Sequence, residues 1–562
     1  MKANTLRRVI LCSTAVLASL GVLMAQAPAT AESQSSKSDV AALKTLLADQ
    51  QKQIDLLKAA LEDQKKMIER VSAAAPAAAP ASGADEFALP RNKALGEVAS
   101  ASPIIPPAAA PVVTNALNAA QPAGGETSPL QLKIGDAYII PIGFMDFTSV
   151  FRSHDAGGGI GTNFAGIPYG NVYQNHLVED RLSMQNSRIG FRIDALVKGA
   201  HVMGYMESDF LGNNPTNVAV SSNSNTLRSR LYWVDVQKDQ WEILGGQTWS
   251  LITPGRTGIS PLPGNIFYSQ NIDVNYQAGL VWGRIPEFRF VWHPSSKAAL
   301  AFAFDNAEQY AGGSAGAPTV TLPGAFSSTY LGGELNNQTN TVNTPNVFPD
   351  IIAKLALDPS SKFHIEIGGV ERQFRVWNPV NINHYSTTGA GGFLNLNFEL
   401  VKGFRILTNN YWSDGGGRYI FGQVPDVIAR SDGSLSAIHA GSTVSGFELT
   451  HHNSFFYAYY GGIYVGKNTA IDTTGKTPAL VGYGYTGSSA GQNRAIQELT
   501  FGFNQTLWRD AKYGALNFMG QYSYLARNPW YIATGQPEDA HLNMIFFNLR
   551  YTLPGSAPTL GK

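Results

Sequence analysis

Arg188 and Arg192 stand four residues apart, Arg228 and Arg230 two apart, and Arg289 and Arg550 follow in segments of similar character. On an extended strand an even spacing puts both members of a pair on one face. A guanidinium keeps its charge and presents a planar fork that fits carboxylates bidentately, so a wall of this kind would draw small anions. Acids occur in the same segments, at Asp146, Asp194, Glu207 and Asp209. Paired with the arginines they would leave little net field, and both readings stand at this point. Other chemistry finds less support. Gly487-Ser488-Ser489-Ala490-Gly491 has the spacing of a nucleophile elbow, but that motif needs a strand before it and a helix after it, and here it lies in a Gly/Ser-rich stretch. His451 and His452 have no further ligands at metal-site spacing, and no metalloprotease or phosphate-loop motif is present. The reading is therefore no catalytic residue, no metal and no cofactor.

The segments that carry the arginines are short alternating runs. Leu394, Leu396, Phe398 and Leu400 alternate with Asn395, Asn397 and Glu399, and Ile545, Phe547 and Leu549 alternate with Asn548 and Arg550. Sixteen such strands can be drawn, from 138–152 to 541–553, with 362–374 and 390–400 among them. Their connections alternate between short turns, such as Lys198-Gly199, and long stretches rich in Gly, Asn, Ser and Thr. A soluble sandwich has no reason to gather its long loops at one end. A transmembrane β-barrel does, with lipid on the apolar face and water on the polar one. The fold class predicted is an all-β transmembrane barrel of sixteen antiparallel strands, or eighteen if the third or fourth long loop hides a hairpin. Tyr232, Trp233, Trp241, Trp249, Trp292, Trp412, Trp508 and Trp530 fall near strand ends, where interfacial girdles form. The third long loop, from Ser250 to about Gly283, holds Pro254, Gly255, Arg256, Pro261, Pro263 and Gly264. It either folds stiffly into the lumen as a constriction, with Arg256 lining it, or stays outside.

Before the barrel lie three segments of different composition. Residues 1–31 carry Lys2, Arg7 and Arg8, an apolar run, and Ala29-Thr30-Ala31, which together read as a secretory signal peptide. Cys12, the one cysteine, follows bulky Leu11 where an acylation site has a small residue, so no lipid anchor is expected. Residues 32–72 hold a heptad seam, with Val40, Leu47, Ile54, Leu61 and Ile68 at one position, and are predicted to form an α-helical coiled coil. Residues 73–129 are Ala/Pro-rich and read as a flexible stalk. The barrel then spans 130–554 and a tail 555–562. Removing the signal leaves 38 Lys+Arg against 41 Asp+Glu, a near-balance that argues against nucleic acid as a partner. Charged residues make up only 15% of the chain while aromatics reach 11%, a surface that needs an apolar neighbour such as outer-membrane lipid.

Several strings resemble the DcaP-like trimeric porins: Arg188-Ile189-Gly190-Phe191-Arg192, Glu207-Ser208-Asp209-Phe210, Gly246-Gln247-Thr248-Trp249-Ser250, and Arg284-x-Pro286 leading to Arg289. The resemblance implies a sixteen-stranded barrel, a homotrimer held partly by a periplasmic trimeric coil, and passage of small carboxylates through a basic constriction. It carries pore-lining roles to Arg188, Arg192, Arg228, Arg230 and Arg289, with Glu207 and Asp209 beside them. The alternative reading is an outer-membrane anchor that tethers the envelope to peptidoglycan through coil and stalk.

Overall fold

A computed structural model describes residues 130–554 apart from 216, 218, 267–269, 315 and 339–343. The signal peptide, coil, stalk and tail expected at 1–129 and 555–562 lie outside the described residues. Sixteen antiparallel strands form a closed barrel. They are β1 (Ala137–Arg152), β2 (Glu179–Ser183 continued by Arg188–Val197), β3 (Ala200–Asp209), β4 (Arg228–Lys238), β5 (Trp241–Trp249), β6 (Arg284–Ser295), β7 (Ala298–Asp305) and β8 (Asp350–Ser360). The second half comprises β9 (Phe363–Asn378), β10 (Asn383–Val401), β11 (Phe404–Asp414), β12 (His439–His451), β13 (Ser454–Val465), β14 (Asn493–Asp510), β15 (Gly514–Pro529) and β16 (Ala540–Thr552).

Closure is made by β1, which pairs with β2 from Ala137↔Ala195 to Phe144↔Arg188 and with β16 from Phe144↔Thr552 to Arg152↔Met544. No wall strand is left with an unpaired edge that lipid could not hydrogen-bond. The break in β2 is bridged from the side: the Asp146 backbone N–H donates to the Ser187 hydroxyl at 3.0 Å.

The pleat sorts the side chains as the alternation requires. Phe147, Ile189, Phe191, Phe288, Phe302, Phe447, Phe501 and Phe547 are exposed on the outer face, while Asp146, Arg188, Arg192, Asn395, Glu448 and Asn548 are buried inside. Of the expected girdle, Tyr232, Trp241, Trp292, Trp412 and Trp508 are exposed. Trp233 and Trp249 are not: both are buried and turned inward, where Trp233 stacks on Tyr205 at 5.2 Å. The fifth long loop also differs from expectation. β9 and β10 stay paired as far as Asn378↔Asn383, so a hairpin projects past the last β10–β11 pair, Ala390↔Asp414. The third and fourth long loops add no wall strand, which settles sixteen over eighteen.

Candidate functional site

Loop 250–283 starts and ends at neighbouring strands, and the Ser250 N–H donates to the Gly283 carbonyl at 2.9 Å. Between those points it crosses the lumen. Lys354 of β8 donates its ammonium to the Thr253 carbonyl at 2.8 Å, and the Gly255 N–H donates to Glu366 of β9 at 3.1 Å. Arg256 grips Glu448 of β12 bidentately at 2.7 and 2.9 Å. Farther along, the Ala278 N–H donates to Glu498 of β14 at 2.8 Å, and the Ile272 N–H to Gln521 of β15 at 2.6 Å. Apolar loop residues Leu262, Leu280 and Trp282 pack in one cluster with Ile142, Leu244 and Trp249 on one side and Val444 and Tyr459 on another.

Backbone touches backbone where the loop meets β13. A Cβ on Gly461 would stand 1.9 Å from the Ala278 carbonyl oxygen, and Gly279, at φ +86°, would put one 2.7 Å from the Gly462 and Thr443 oxygens. Only glycine permits this seating. The loop thus folds inward, and Arg256 is its anchor on the far wall rather than a member of the arginine row.

That row lies on a contiguous wall from β16 to β6. Arg550 holds Asp146 with two nitrogens at 2.8 and 2.7 Å. Arg188 reaches Glu207 at 3.4 Å, and Arg230 bridges Glu207 at 2.8 Å and Asp209 at 2.7 Å. Arg228 forks onto Asp209 at 3.0 and 2.8 Å. Arg192 and Arg289 stand apart from this group. Arg192 is taken up bidentately by Asp194 at 2.6 and 2.8 Å, and Arg289 by Glu287 and by the Trp249 carbonyl at 2.8 Å. Their charges are spent locally.

Two residues join the row that strand parity did not point to. Arg284 lies in register with outward Phe288 and Phe290, yet its guanidinium bends over Trp249 at 5.7 Å and Trp282 at 5.5 Å. Tyr276, brought in by the loop, is buried against Trp249 and Trp282. Burial would raise its phenol, but the field of Arg230, Arg188 and Arg284 outweighs burial and lowers it. Among the described residues the group counts five guanidiniums, Arg188, Arg228, Arg230, Arg284 and Arg550, against three carboxylates, Asp146, Glu207 and Asp209.

No protein-family model matches the sequence, and no curated protein sequence matches it. Solved structures do. The outer-membrane channel DcaP of Acinetobacter baumannii superposes with a TM-score of 0.54 over 75% of this chain and 99% of that one, at 14% identity. The fold is that of an outer-membrane porin. The likeness read from the short strings therefore holds at the level of architecture. An anion-selective porin from Comamonas acidovorans also aligns, with a TM-score of 0.41 and 10% identity over 74% of this chain and all of that one. In this barrel, the inward loop and the arginine row are the features that differ most from an unfurnished tube.

Proposed function

We propose that the chain is an outer-membrane porin that passes small hydrophilic solutes and prefers anions, small carboxylates among them. One observation carries the preference: within the linked group the guanidiniums of Arg188, Arg228, Arg230, Arg284 and Arg550 outnumber the carboxylates of Asp146, Glu207 and Asp209, beside a loop that narrows the lumen. At an effective dielectric near 20, one uncompensated charge about 8 Å from a passing ion is worth about 2 kcal/mol, roughly 30-fold in local concentration before screening. Charge-assisted forks recognise carboxylates in particular. The gathering of long loops at one rim supports an orientation with short turns and both chain ends in the periplasm.

The test is the reversal potential of the purified barrel in planar bilayers under a KCl gradient. Anion preference is expected at 0.1 M salt and should fade toward 1 M, where the Debye length is about 3 Å. Cation preference at low salt would refute the charge assignment. Absence of any current would refute the channel itself and return the anchor reading.

A further inference from the structure

Near the long-loop rim, two cross-strand rows on the outward face differ from the wall beneath them. The upper row reads Trp412, Gly441, Tyr464 and Ala495 across β11 to β14, and the lower row reads Asn410, Thr443, Gly462 and Gln497. Two residues of strand separate the rows, about 7 Å. Glycine in both leaves a hollow of about 850 Å³ walled by Trp412, Tyr460 and Tyr464. Farther down the same strands Phe447, Phe456 and Phe501 face outward, whereas the lower row offers two carboxamides and a hydroxyl. Thr443 donates to the Asn410 carbonyl oxygen at 3.0 Å, and Gln497 is exposed with no hydrogen bond among the described residues.

Above the upper row two cations gather over one indole. The Lys467 ammonium stands 4.7 Å from the Trp530 ring centre and the Arg494 guanidinium 6.0 Å from it. The ring is held by its Nε1–H, which donates to the Val465 carbonyl at 2.8 Å, and by the edge of Tyr464 at 6.1 Å. The cations are thereby fixed beside the hollow. Arg494 is the extra residue of a β-bulge, where the register steps from Asn493↔Pro529 to Ala495↔Asn528. Unlike Arg188, Arg228, Arg230 and Arg550 in the lumen, neither cation has a carboxylate within ion-pair reach among the described residues. Asp414, across the hollow, is engaged by His439. Like charges over one ring repel, and a phosphate between them relieves that repulsion while occupying their donors. A free phosphate would leave the hollow and its polar floor without a partner, and bare acyl chains would leave both the floor and the cations so. We propose that the hollow binds a phosphorylated glycolipid of the outer leaflet. Its phosphate lies between Lys467 and Arg494, an acyl chain runs over Gly441 and Gly462, and the amide and ester groups that join chain to sugar meet Asn410, Thr443 and Gln497. The choice of leaflet rests on the orientation proposed above, with the long loops outside.

The test is native mass spectrometry of the purified protein in detergent, titrated with bis-phosphorylated lipid A. Lys467→Ala/Arg494→Ala should lower the bound fraction at least tenfold, with heat-modifiable migration showing an intact barrel. Gly462→Leu, which fills the hollow from outside, should do the same with both cations kept. Arg181→Ala, at an exposed cation on β2, should change binding less than twofold. Dephosphorylated lipid A should bind the unaltered protein at least tenfold more weakly. Unchanged binding in the double variant or in Gly462→Leu, an equal loss in Arg181→Ala, or equal binding of the dephosphorylated lipid would overturn the site. Displacement of the lipid by inorganic phosphate would assign the cations to a free anion instead, and phosphatidylglycerol binding as tightly as lipid A would overturn the choice of a glycolipid. The readout needs no current, so failure of the channel reading and failure of this site are separable.

Discussion

Arg284→Ala and Arg230→Ala remove the same charge from the wall but not the same support. Arg284 rests on two indoles, so its loss leaves no carboxylate newly stranded. The Arg284→Ala barrel should lose anion preference at 0.1 M KCl several-fold, with a stability change within about 1 kcal/mol, the range of exposed or half-buried cation–π contacts. Arg230 spans Glu207 and Asp209 deep in the wall, and breaking a buried pair from one side costs about 3–5 kcal/mol. Arg230→Ala should therefore shift selectivity and also lower the midpoint of unfolding in urea, which tryptophan fluorescence would follow. Equal stability loss in the two variants would show that Arg284 carries a structural pair after all. Arg284 entered the sequence reading only within a resembling string and not as a wall residue, because its parity matches outward Phe288 and Phe290 and a guanidinium that bends over a neighbouring strand leaves no periodic trace. Arg192 and Arg289 were legible as inward arginines, but nothing in their spacing told that Asp194 and Glu287 absorb them.

Loop 250–283 acts as an element in its own right, held by separate fastenings on opposite walls. Gly461→Ala places a methyl against the Ala278 carbonyl and should unseat that contact, giving larger and noisier single-channel steps from a barrel that still folds. A second fastening responds to pH. The carboxylate of Asp273 accepts the N–H groups of Thr162 and Asn275, tying this loop to loop 153–178, and burial pushes its carboxyl above the usual range. A raised value means that the seated loop favours the neutral acid, so seating strengthens as pH falls through that value and weakens as pH rises past it. Closed substates in bilayer recordings should accordingly lengthen on going from pH 7.5 to pH 5. Asp273→Asn should flatten that dependence, and Glu498→Gln is the needed companion because Glu498 faces the same loop. Among the elements, membrane-crossing strands were the most legible: lipid on one side and water on the other enforce strict alternation, as in 394–400. The β9–β10 hairpin was not, because toward its tip the polarity of the pleat inverts, with Phe374 and Val376 buried and Gln373 and Arg375 exposed, so the apolar-outward pattern lapses.

At the scale of the molecule, every wall strand finds both neighbours between Ala137 and Thr552. A chain lacking residues 32–129 but keeping the expected signal peptide should therefore still assemble a heat-modifiable, conducting barrel. Failure to insert would show that the expected coil and stalk guide assembly rather than merely extend the molecule. The double bonding of Ala137–Arg152 has one more consequence. Its second flank waits for Ala540–Thr552, which lies far later in the chain than the first. Until then a newly delivered chain holds two unmated margins of hydrogen-bonding backbone beside a wealth of exposed phenylalanine, a template for pairing with its neighbours. Shielding of both margins until closure should therefore limit aggregation, and losing the final strand should yield no narrower pore but a sticky, uninsertable ribbon.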